Sequence, residues 1–212
     1  SGGTELGTDT YSFTITAPSS AVPTITLATA RVNNSVPSSW GVYVQGQSGV
    51  TITATASGYQ GSTISSYTIS GGATGTQTSN VFSISVIYSS GTVTYTVKAT
   101  DSRGRTATAS VSISVVAYSA PAFTATEAFR CVAAGTASES GTYISAKATG
   151  SYSSVSGKNS MTLRVQYGLT TSNVYSTAVT LTSGTASIIG NGSIDTNYSF
   201  NVKFTLSDQF NT

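Results

Sequence analysis

The sequence predicts an all-β chain, and three observations predict it. Apolar and polar residues alternate with a period of two over long stretches, as in "TVTYTVKATDSRGRTATASVSISVV". That is the mark of a strand packed on one face and wet on the other. Between residues 22 and 117 about seven strand-like runs follow one another, with turn residues at roughly 8- to 12-residue spacing, the pattern of an immunoglobulin-like or fibronectin-like sandwich. The second half then repeats the landmarks of the first in the same order, which points to two tandem β-sandwich domains. No segment carries a helical period.

Taken in order, the first strand-like run is 11–16, with Tyr11, Phe13 and Ile15 in phase. It reads as a linker strand or the last strand of a preceding module, so residues 1–20 are set apart from the first sandwich, 21–117. Runs at 24–28, at 41–56 with a break near 46–49, at 63–70 and at 80–87 come next. Val93, Tyr95, Val97 and Ala99 then face one way, while Thr94, Thr96 and Lys98 face the other. Past a charged turn, Ala107, Ala109, Val111, Ile113 and Val115 are again in phase. In the second sandwich, 118–212, strands are expected at 123–130, 141–149, 160–167, 174–182, 186–189 and 198–206. Tyr198, Phe200, Val202, Phe204 and Leu206 form its inward row.

The repeat rests on ordered matches. Gly41-x-Tyr43-Val44 answers Gly141-x-Tyr143-Ile144; "TVKATD" ending at Asp101 answers "NVKFTLSD" ending at Asp208; "AVPTIT" around Pro23 answers "SAPAFT" around Pro121. The boundary falls at 117–121, and a short Pro-containing junction implies limited bending. After Asp101 the first sandwich has a closing strand, 106–116. The second reaches its matching turn at Asp208 and is expected to lack that strand within 118–212. Such a gap leaves a neighbouring strand with an open edge. The run at 11–16 is expected to fill it in a neighbouring copy, which makes association of the chain with itself an expectation.

Composition narrows the function. Charged residues are 8% of the 212, against roughly 25% in an average soluble protein. Net charge is +2, and the only basic cluster is Arg103 with Arg105, so a phosphate-tracking surface for nucleic acid is not expected. The absence of His removes Ser-His and Cys-His dyads and the commonest zinc ligand. The single Cys131 excludes an intrachain disulfide and suits synthesis in a reducing cytoplasm. There is no signal peptide and no apolar run near a membrane-spanning length. The chain begins at Ser1, which reads as a fragment or a processed piece.

The candidate sites differ in weight. The charged turn Asp101-Ser102-Arg103-Gly104-Arg105 is explained as a turn. Asp101 accepts backbone N–H groups two residues on, Gly104 supplies positive φ, and Arg103 and Arg105 keep the tip wet and pair weakly with Asp101. A loop tip can also bind, so Arg103 and Arg105 stay binding candidates. Asp208 is the matching turn residue. The carboxylates form no catalytic motif, nothing in the sequence brings Asp195 and Asp208 to the roughly 5 Å a retaining glycosidase needs, and no enzyme is expected. A Lys147–Asn201 isopeptide bond with Glu127 as its acid would need all three buried, and solvent-facing positions are the better reading. Glu5 with Asp9 is too sparse for calcium, and neither a metal nor another cofactor is expected. For sugars, Trp40 and Tyr43, with Tyr59 and Tyr67 further along, form a possible aromatic platform, although packing roles are favoured. Tyr152, in a long polar loop, is the better exposed contact.

The phrases "WGVYVQGQSGVTITATASGYQGSTISSYTI", "GTVTYTVKATDSRGRTATASVSISVVAYSAP", "FRCVAAGTASESGTYISAKATGSYSSVSGKNSMTLRVQYG" and "FNVKFTLSDQF" together resemble the immunoglobulin-like modules of tail-tip and baseplate proteins of long-tailed phages infecting Gram-positive bacteria. The resemblance runs from about residue 22 to the end. It implies a virion structural protein made in the bacterial cytoplasm, acting as a spacer and in host attachment. The implied partners are other tail proteins and cell-wall carbohydrate. It carries over no catalytic residue. The alternative from another class is a carbohydrate-binding or adhesin module of a bacterial surface protein.

Overall fold

The computed structural model describes residues 3, 7–16 and 18–211. The first eight strands are β1 (Thr24–Val32), β2 (Tyr43–Val44), β3 (Gly49–Ser57), β4 (Ile64–Gly71), β5 (Gly75–Gln77), β6 (Val81–Ile84), β7 (Gly91–Asp101) and β8 (Thr106–Val116), with a short 3₁₀ turn at Ser38–Trp40. They form two sheets, one in the order β1-β3-β6 and one in the order β2-β8-β7-β4-β5. The alternation does what it should: Val93, Tyr95, Val97 and Ala99 on β7 are buried. On the outward face the Thr94 and Ser112 hydroxyls pair at 2.8 Å, as do those of Thr96 and Ser110. Burying a Val or Ile side chain is worth about 1.5–3 kcal/mol, and a cross-strand hydroxyl pair about 0.2–1. The inward rows therefore hold the sheets.

The remaining strands are β9 (Ala122–Cys131), β10 (Tyr143–Ser151), β11 (Thr162–Leu169), β12 (Val179–Leu181), β13 (Ser187–Ile189) and β14 (Phe200–Ser207). They form the sheets β13-β10-β9 and β12-β11-β14. Ile144, Ala146 and Ala148 from the first meet Leu163, Val165 and Leu181 from the second in one core, joined by Ile189 and Ile194. The architecture is all-β and sandwich-like, as the alternation requires. Among the described residues no sheet pairs a strand before residue 117 with one after residue 121. By packing, the described residues fall into two compact units, one within Ser1–Ala28, Ile52–Phe82 and Tyr95–Val111, the other within Thr29–Thr51, Ser83–Thr94 and Ser112–Thr212. That division crosses β1, β3, β6, β7 and β8.

Four differences from expectation have physical reasons. Residues 11–16 alternate but form no strand, because alternation without a partner leaves the backbone groups to water. The run at 174–182 keeps strand pairing only at its end, Val179–Leu181. Tyr198 lies outside β14 and is exposed, so the inward row starts at Phe200. The Gly-x-Tyr match also joins positions with different roles. Tyr43 lies on β2, which pairs in parallel with β8, whereas Tyr143 opens β10, which pairs with β9 and β13. Gly41 takes a φ of +66°, while a Cβ at Gly141 would stand 2.2 Å from the Cys131 carbonyl oxygen.

Candidate functional site

Asp101 continues the inward phase of β7 and is buried, 1% exposed. Its Oδ1 accepts the backbone N–H groups of Arg103 (3.0 Å) and Arg105 (2.9 Å). Oδ2 accepts the Ser62 hydroxyl at 2.9 Å and Arg105 Nε at 3.0 Å, and Arg105 closes a 2.7 Å ion pair. Burial by itself pushes this carboxyl up. The Arg105 N–H, the Ser62 hydroxyl, the Arg105 side chain and the Arg103 N–H outweigh it and bring the pKa down to about 2. Gly104 has the positive φ the turn needs, +77°. The turn stands as expected, but the weak exposed pair does not. Arg105 is committed to a buried carboxylate, to Ser62 Oγ and to the Tyr59 carbonyl, with its guanidinium over the Tyr59 ring. Only Arg103, which reaches the Gln60 carbonyl, keeps an exposed side chain.

Asp208 ends the inward phase of β14 in the same way and is buried. Its Oδ1 accepts the N–H groups of Phe210 and Asn211, both at 2.9 Å. Oδ2 accepts Asn159 Nδ2 at 3.0 Å and the Tyr118 hydroxyl at 3.1 Å. Burial raises this carboxyl. The Asn159 amide, the two N–H groups and the Tyr118 hydroxyl more than offset that and hold it below the usual carboxylate range. Tyr118 moves the other way: burial, its bond to Asp208 and the nearby charge push it up to about 12. Asn211 Nδ2 donates to the same phenol oxygen. Neither carboxylate suits a general acid at neutral pH, and Asp195 is occupied by the N–H and amide of Asn197.

Around Tyr118 the chain is stitched on both sides. Its N–H points to Gln45 Oε1 at 3.4 Å, the Gln45 N–H bonds the Val116 carbonyl, and the Ser119 N–H bonds Ser153 Oγ at 2.8 Å. Phe210 packs edge-on to Tyr118 (centroids 4.8 Å) and Trp40 (5.6 Å). Val36, Val44 and Val155 are buried in the same cluster. Trp40 therefore packs in this cluster, and Tyr43 is half-buried on β2. Tyr67 is buried, Tyr59 lies under Arg105, and Tyr152 is exposed, as expected. Sequence reasoning missed Tyr118, Asn159 and Ser62. The repeat held a signal for the last two, since each lies just ahead of the strand, β4 or β11, that pairs with the aspartate's own strand.

The other candidates separate. Lys147 and Glu127 face each other across β10 and β9 and are exposed, while Asn201 is exposed on β14 in another sheet, so no isopeptide triad forms. Of the sparse acid pair, Asp9 is exposed and Glu5 lies outside the described residues. Among the described residues no three His, Cys, Asp or Glu side chains gather as metal ligands. Among them, too, no helix is long and apolar enough to cross a membrane. An open cleft of about 530 Å³ lies along one side of the second sandwich, lined by Phe129, Ile144, Ile194, Phe200 and Val202 with Arg130. Arg130 is not free there, because its guanidinium donates to the carbonyls of Gly141, Ile194, Asp195 and Tyr198.

No known family pattern and no curated protein matches this chain. Among solved structures, one described under the structural basis for the promiscuous specificity of carbohydrate-binding modules from the β-sandwich superfamily resembles it at a TM-score of 0.37 and 11% identity, over 91% of this chain and 98% of the other.

Proposed function

We propose that the chain is a non-enzymatic spacer module of a phage tail-tip or baseplate protein, which holds the parts on either side of it at a fixed angle. The observation that carries this reading is the joint. A flexible tether would leave 117–121 solvated, whereas here Tyr118 is bonded to Asp208, Ser119 to Ser153 and Tyr118 N–H to Gln45, around the Trp40–Phe210–Tyr118 stack. Each aromatic pair adds about 0.5–1.5 kcal/mol beyond its buried area, enough in combination to oppose bending. The tail assignment itself comes from the ordered sequence resemblance. The adhesin alternative draws less support, since of its aromatic candidates only Tyr152 is exposed and unoccupied by a packing role.

Two measurements test this. Antibodies against the chain should label the tail end of virions released from bacteria carrying its gene. Finding the chain on the bacterial surface and absent from particles would sink the tail assignment. In solution, amides on the two sides of Tyr118 should report one rotational correlation time by NMR relaxation. Phe210→Ala should split it into two. Independent tumbling in the unmodified chain would refute the spacer role.

A further inference from the structure

Strands β7 and β14 are counterparts. Each ends at a buried turn aspartate, and each pairs with the strand, β4 or β11, that comes after the loop supplying Ser62 or Asn159. Their surroundings differ. β7 lies between β4 and β8, while β14 has β11 on one side and, among the described residues, no strand on the other. The consequence shows in burial. Val93, Tyr95, Val97 and Ala99 are buried, whereas Phe200, Val202, Phe204 and Leu206 are only half-buried. The open cleft runs beside this row. An edge strand of this kind is a template for a further strand.

The chain also carries a strand-like alternation that pairs with no sheet among the described residues. Tyr11, Phe13 and Ile15 alternate with Ser12, Thr14 and Thr16, and the three large side chains are 93%, 76% and 84% exposed. The segment resembles β8 both in its alternation and in the linker after it. Pro23 stands just ahead of β1 as Pro121 stands just ahead of β9, and that match sets residues 11–16 in the place of 109–114.

We infer that β14 of one copy takes residues 11–16 of a second copy as an antiparallel strand, in the place that β8 holds beside β7. The Thr94–Ser112 and Thr96–Ser110 pairs fix the register of that template. With residues 11–16 set on 109–114 by the Pro23–Pro121 match, and β14 on β7 by the aspartate match, it sets Ile15 opposite Phe200, Phe13 opposite Val202 and Thr14 opposite Asn201. Ile15 and Phe13 then enter the cleft. Backbone bonds supply the pairing and the alternate side chains the specificity, as in other strand additions. Burying Tyr, Phe and Ile removes about 500 Å² on the donor and a similar area on the acceptor, so the contact reaches the roughly 1,000 Å² at which specific interfaces begin. Because donor and acceptor are different surfaces, the association is head-to-tail and builds linear chains unless a rotation closes a ring.

The test uses the 212-residue chain. Its mass by sedimentation should rise with concentration through a ladder of oligomers. Phe13→Asp with Ile15→Asp should return it to a monomer with an unchanged melting temperature, since those side chains are 76% and 84% exposed within one copy. Thr14→Cys combined with Asn201→Cys should oxidise to a disulfide-linked ladder, and the two single variants mixed should give dimers only. A chain that stays monomeric at all concentrations, an association that survives the double Asp change, or a disulfide closing within one copy would each overturn the inference. None of these outcomes depends on the tail assignment or on the stiffness of the joint.

Discussion

Asp101 and Asp208 each end an inward-facing row, on β7 and β14, and are neutralised in different ways. Asp101 shares its turn with Arg105, and a half-buried guanidinium answers the carboxylate. Among the described residues no cation pairs with Asp208. Backbone N–H groups, the Asn159 amide and the Tyr118 phenol answer it instead. The repeat keeps the acceptor and the loop donor ahead of the paired strand, and changes the rest according to what lies beyond the turn. Where the turn ends a hairpin, an arginine from the same hairpin suffices. Where it meets the joint, the donor comes from the linker, and the turn and linker are fastened by one bond. A buried charge thus ties its turn to the loop ahead of the paired strand in both places, and in the second to the linker as well.

The comparison breaks first under truncation. Asp101→Ala leaves Arg105 without its counter-ion and Ser62 without its acceptor, and should lower the melting temperature by roughly 10 °C. Asp208→Ala strands only neutral donors, and should cost about half as much. Equal losses would mean that the arginine adds nothing to the first knot. The pH profile sharpens the same contrast. With folded pKa values below the unfolded carboxylate value of about 3.9, both aspartates contribute stability that is present above that value and is lost as pH falls through their folded values, toward about 2 for Asp101. Tyr118, raised to about 12, contributes stability that is present below the unfolded value of about 10 and lost as pH rises past it. Between about pH 5.5 and 8 the melting temperature should stay flat, since no His titrates there. Tyr118→Phe should remove a tyrosinate that ionises at about 12 from an absorbance titration and leave the acid limb of Asp101 in place. The smallest effect belongs to Arg103→Ala, whose exposed side chain reaches the Gln60 carbonyl at 3.2 Å. Its melting temperature should move by about 2 °C or less, and a larger drop would put Arg103 inside the knot.

Much of the fold was legible because strands of this kind write their burial into every second residue. β7, β8, β10 and β14 are plain in the sequence for that reason. β5 has three residues, too few for a period. Residues 11–16 have the period but no partner, and a periodic pattern does not supply hydrogen bonds. The turn at Asp101 was legible from Asp and Gly. Its burial was not expected, because charges are usually read as surface, yet the phase was there: Asp101 stands two beyond Ala99, and Asp208 two beyond Leu206. Trp40 and Tyr43 suggested a sugar platform because aromatic residues look alike in sequence whether they pack or bind. Tyr118 was missed because its partner lies 90 positions away.

The paired hydroxyls on the outer face of the five-stranded sheet have one further consequence. Thr94 with Ser112, Thr96 with Ser110 and Thr68 with Thr76 satisfy one another across strands and still offer lone pairs to water. Hydration of this face therefore does not depend on ionised groups. Added electrolyte shortens the Debye length from about 30 Å at 0.01 M to about 3 Å at 1 M, but it finds few charges there to screen. The face keeps the same affinity for water in fresh medium, in brine and across a wide range of acidity.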